Sequence, residues 1–116
     1  MGAFEVRAAT WITVCDVKDS PLFALLRAGL DKGEAEAIAL GVQEQANVIL
    51  LDERKARRKA VGLDLNVLGT VGILIWAKRA GLIKNLQQQL NTLQTTGLFR
   101  LSRTVYEQAL QSVGEI

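Results

Sequence analysis

The chain has 116 residues, 49% of them apolar and 22% charged, with a net charge of +2. This is enough chain for one domain, residues 1–116, with a real core, and the composition excludes a disordered tail. With no histidine and one cysteine, zinc clusters, a Ser-His-Asp triad and any imidazole base are excluded. Catalysis would have to run on carboxylates, lysines or a hard metal held by oxygen ligands.

Apolar runs fall well short of the ~18 residues a membrane span needs, so no membrane association is expected. Residues 1–10 carry two charges and no apolar block, which is no signal peptide. The lone Cys15 cannot close an internal disulfide, so a reducing cytoplasm is the expected location.

In chain order, "TWITVC" (Thr10–Cys15) alternates and is β-branched, which predicts a strand. Ser20 caps a helix beginning at Pro21 and stopping at Gly29. Asp31 opens the next helix, where Ala35, Ile38, Ala39 and Val42 fall at helical spacing. Asn47–Leu51 is a short apolar strand of the kind buried on both faces of a parallel sheet. Glu53–Val61 is helical up to Gly62, Asp64–Leu68 is a strand, and Thr70 caps a helix running to Ala80. The Gln-rich Leu86–Thr95 and the Ser102-capped Arg103–Ser112 complete the helices. Strands alternating with helices predict an α/β domain with a parallel sheet.

"VGILIWAKRA" (71–80) is apolar nearly all round, so it is either buried on two sides or faces a partner.

Parallel strands joined by right-handed crossovers bring their carboxyl ends to one edge, where ligands bind in open α/β sheets. Asp52 and Thr70 follow two such strands. Glu34, on the first turn of the helix opening at Asp31, is expected to approach Asp52. Two carboxylates near helix N-termini, beside a helix carrying five of the 14 basic residues, make a candidate site for Mg²⁺ with a phosphate. Arg54, Lys55, Arg57 and Arg58 would then hold a nucleic-acid backbone. A plainer reading stands beside it: Asp52 caps helix 53–61, Asp31 and Glu34 form a capping box, and the basic cluster is a solvated face.

The order "LDKGEAEAIALG", apolar strand, "LLDERKARR", "LNVLGTVGILIWAKRAGLI", with the tail "FRLSRTVYEQAL", resembles the PIN-like fold. More narrowly it resembles a prokaryotic family of PIN-like proteins associated with toxin–antitoxin systems. The resemblance implies a three-layer α/β fold, a small parallel sheet flanked by helices, and a Mg²⁺- or Mn²⁺-dependent ribonuclease site of three or four acids. Carried over by position, Glu34 and Asp52 are the metal-holding and catalytic acids, and Thr70 lies at the site's edge. RNA and an antitoxin-type protein are the implied partners.

Members of that family open with a strand ending in an aspartate followed by Ser or Thr. Here the chain starts at "MGAFEVRAATW", so an N-terminally truncated fold with impaired catalysis is expected. The alternative is a non-catalytic, oligomerising remnant. A phosphate-accepting receiver domain also has an aspartate at a strand end, but it requires an acidic pair after its first strand and a lysine after its last, and neither is present. Uncovered apolar surface would favour a homo-oligomer, with helix 71–80 in the interface and "MGAFEV" segments exchanged.

Overall fold

A computed structural model describes residues 5, 8–96 and 99–116. Their order is α1 (Pro21–Gly29), α2 (Lys32–Gln43), β1 (Ile49–Leu50), α3 (Arg54–Gly62), β2 (Val67–Leu68), α4 (Thr70–Arg79), α5 (Leu86–Thr95) and α6 (Arg103–Ser112). The chain is α/β, as expected. β1 and β2 pair, with Ile49 N–H donating to Asn66 O at 2.8 Å and Leu51 N–H to Leu68 O at 3.1 Å. Donor and acceptor both advance by two residues, which is the parallel register. The chain divides into two compact units, Met1–Ile49 with Arg54–Asn66, and Leu50–Glu53 with Val67–Ile116.

In the first unit, Ser20 Oγ accepts Phe23 N–H at 3.1 Å and Pro21 opens α1. The helix needs both signals, because its first N–H groups have no intrahelical acceptor and proline loses nothing there. α1 packs on α2, and α2 on α3. Leu26, Leu30, Ala35, Ile38, Ala39, Ala56 and Ala60 are buried. Gly41 lets α2 lie directly over β1, since a Cβ there would collide with Cδ1 of Ile49.

The predicted strand Thr10–Cys15 does not form. Trp11 and Val14 are 80% and 85% exposed, so its alternation meets no ladder partner and no sheet face. The segment that follows is instead held by one side chain. Gln43 Oε1 accepts Lys18 N–H at 2.9 Å and its Nε2 donates to Asp16 O at 3.2 Å. Of the "MGAFEV" segment expected to exchange between copies, only Glu5 is among the described residues.

β1 is also shorter than the predicted 47–51, and it is not buried on both faces. Ile49 and Leu51 are 6% and 8% exposed, whereas Val48 and Leu50 are 49% and 62% exposed. A two-stranded sheet has one covered face here, so an unbroken apolar run alternates in burial. The predicted strand 64–68 shrinks to Val67–Leu68, because Asp64 adopts a left-handed turn conformation with φ 61°.

The second unit gathers α4, α5 and α6 around Leu86, Leu90, Ala109 and Leu110, with Val71, Leu74 and Ile75 packed against them. Two left-handed glycines shape it. Gly81 (φ 77°) turns the chain after α4, with Leu82 N–H bonded to Ala77 O. Gly114 (φ 75°) reverses the tail. A residue with a Cβ would be strained at either position. The reversal lets Glu115 cap α5: its carboxylate accepts Leu86 N–H at 2.7 Å and Gln87 N–H at 3.0 Å, and Lys78 lies 3.4 Å away. Those two N–H groups, Gln87 first, and then Lys78 hold the Glu115 pKa below its ordinary value. Helix α4 has no fully buried residue and leaves Trp76 60% exposed. Of the two alternatives for this helix, burial on two sides or a face turned to a partner, this exposure speaks against the first.

Candidate functional site

Thr70 and Asp52 meet at the carboxyl ends of the two strands. Asp52 Oδ1 accepts Thr70 N–H and Oδ2 accepts the Thr70 Oγ1 hydroxyl, both at 2.7 Å. The reason is local. The residue at the N-cap of α4 is Gly69, which has no side chain to satisfy the first N–H groups. Asp52, 18 positions earlier, supplies the missing acceptor. The positive end of the helix dipole favours an anion at that place. Two expectations are thereby corrected: Thr70 is the first helical residue rather than the cap, and the carboxylate of Asp52 serves α4.

Glu34 lies in the first unit, half-buried. The capping box is real: Asp31 Oδ1 accepts Glu34 N–H at 2.8 Å, and Glu34 Oε1 accepts Asp31 N–H at 3.4 Å. The longer return bond leaves the Glu34 carboxylate less tightly held than that of Asp52.

Helix α3 presents Arg54, Lys55, Arg57, Arg58 and Lys59 to solvent, and buries Ala56 and Ala60. Arg54 with Arg57 and Arg58, and Lys55 with Arg58 and Lys59, are like-charge neighbours three or four residues apart. Each such pair costs a few tenths of a kcal/mol. None of the five is in a salt bridge among the described residues. Lys55 has a structural use: its Nζ comes within 3.9 Å of where a Gly29 Cβ would sit. That is the C-terminus of α1, where a cation is favoured. The remaining bases form an unneutralised exposed stripe.

A divalent ion is implied by the fold, and the described side chains fit it poorly. No group of three or more His, Cys, Asp or Glu residues is placed to hold a metal among the described residues. Glu34 and Asp52 are both already engaged as helix caps. Asp52 does retain free lone pairs, since a carboxylate has about four acceptor positions. Hydrogen-bonded carboxylates are typical of metal ligands.

A small parallel sheet with an aspartate at a strand end, next to the start of a helix, is an α/β arrangement that carries an acid at the edge where such sheets bind ligands. A family model described as a PIN domain matches residues 2–115. The chain belongs to that PIN domain family. No curated protein and no solved structure matches it. No described helix is long and apolar enough to cross a membrane.

Proposed function

We propose that this PIN domain is an RNA-binding, nuclease-type module with impaired hydrolysis, in which Asp52 is the one carboxylate held ready at the strand ends. The double hydrogen bond from Thr70 to Asp52 carries the reading, because it fixes both carboxylate oxygens at the edge where α/β folds bind ligands. The exposed stripe Arg54, Arg57 and Arg58 would hold RNA phosphates, relieving its own repulsion as it does so. Affinity for Mg²⁺ or Mn²⁺ is weak, since the described side chains assemble no larger donor group. Calorimetric titration with Mn²⁺ should give weak binding by the wild type and none by Asp52→Asn. Equal binding by both would remove Asp52 from the site. In a toxin–antitoxin setting, an antitoxin-type protein encoded beside this chain should co-elute with it.

A second reading, a non-catalytic self-associating module, is favoured by one observation. In the second unit Leu50 and Trp76 are 62% and 60% exposed, and each large apolar side chain left wet forgoes about 1.5–3 kcal/mol. Light scattering should then give a multiple of 12.7 kDa, reduced by Trp76→Glu. A monomer at tens of micromolar would reject this reading.

A further inference from the structure

Residues 85–99, "NLQQQLNTLQTTGLF", contain no charged side chain in a chain that is 22% charged. Helix α5 occupies most of that run, burying Leu86 and Leu90 on one side. Its other side lines a shallow cavity of about 450 Å³ with Asn85, Gln87, Gln88, Asn91, Thr92 and Thr95. Every lining side chain is an amide or a hydroxyl, and every one is exposed. Helix α3, by contrast, meets solvent with five cations.

One of these amides is held in place. Tyr106 Oη donates to Asn91 Oδ1 at 2.8 Å, so the Asn91 NH₂ is directed away from that bond with two donors to offer. Asn85 Oδ1 is likewise occupied, accepting Gln88 N–H at 2.8 Å. The helix thus presents fixed donors from Asn85 and Asn91, flanked by adjustable amides that both donate and accept. An uncharged surface of this kind lacks the net positive charge that draws in a phosphate backbone. It matches flat neutral groups edged with carbonyl oxygens, ring nitrogens and amino groups, which are the edges of unpaired nucleobases.

We propose that the amide face of α5 reads bases of single-stranded RNA, with Asn91 as the principal specificity residue and Tyr106 as its positioning residue. The inference rests on the RNA-binding reading above and adds the part that phosphate contacts cannot supply, since phosphates position a strand without reading its sequence.

The test measures affinity for the four RNA homopolymers across a range of salt concentrations. Wild type should prefer at least one homopolymer by about tenfold, the scale of one good amide–base contact. Asn91→Leu, and separately Gln88→Leu, should bring the four affinities together and leave the salt slope unchanged. Tyr106→Phe should weaken the preference partway, because Asn91 is then free to rotate. Arg57→Ala/Arg58→Ala should do the reverse, lowering the salt slope while keeping the preference. If RNA binds with no base preference, or if the Asn91 and Gln88 variants keep it, the amide face is a solvated surface and the RNA-binding reading still stands. If no RNA binds at low salt, both are overturned.

Discussion

Helices α2 and α4 are both capped by carboxylates, and the two caps are built in opposite ways. At α2 the acceptor and donor are three residues apart, Asp31 and Glu34. At α4 they are 18 residues apart, Asp52 and Thr70, and belong to the ends of neighbouring strands. The first is a local motif that any helix can carry. The second closes a stretch of chain that includes all of α3, so it exists only once β1 and β2 have paired. Asp52 is thereby fixed at the strand ends, whereas the Asp31–Glu34 box reports only on the start of its own helix.

Removing each acid in turn separates the two caps by what each costs. Asp52→Ala should cost about 1–2 kcal/mol, at the upper end for a lost cap, because two bonds to a charged acceptor go together. Solvent exposure of Asp52 keeps the figure from being larger. Asp31→Ala should cost about 1 kcal/mol, an ordinary N-cap loss. Glu34→Gln should cost no more than a few tenths of a kcal/mol, since glutamine also completes a capping box. Chemical denaturation at constant m-value checks the series. Asp31→Ala costing more than Asp52→Ala would break the distinction.

A third acid, Glu115, caps α5 from 29 positions away. Its pKa in the folded protein lies below the ordinary 4.5. Its stabilisation is therefore complete above that value and is lost as pH falls through the lower, folded one. Thermal unfolding should show a decline from about pH 4.5 downward. In Glu115→Gln that decline should be shallower, with slightly lower stability at pH 7. An unchanged acid limb in the variant would show that the clasp contributes nothing.

The local features were legible from residue types. Ser20 with Pro21, Asp31 with Glu34, and Ser102 each cap the helix that the sequence predicts. The helices α5 and α6 have the predicted bounds. What failed was whatever depended on a distant partner. Thr10–Cys15 has the pattern of a strand but pairs with no strand among the described residues. The apolar run before Asp52 reads as doubly buried, yet a two-stranded sheet covers one side only. Asp52 and Thr70 were both identifiable as strand-end residues, while their bond was not. The hold of Tyr106 on Asn91 had no signal in residue spacing, since the two lie on different helices.

On the proposed function, Asp52 is held ready at the strand ends while RNA is hydrolysed poorly. The direct measurement is cleavage of a generic single-stranded RNA by the purified chain in Mg²⁺ or Mn²⁺, with and without EDTA, for the wild type and for Glu34→Gln. Little or no cleavage above the EDTA control is the predicted result. Robust, EDTA-sensitive cleavage that disappears in Glu34→Gln would contradict it and establish a working metal-dependent nuclease.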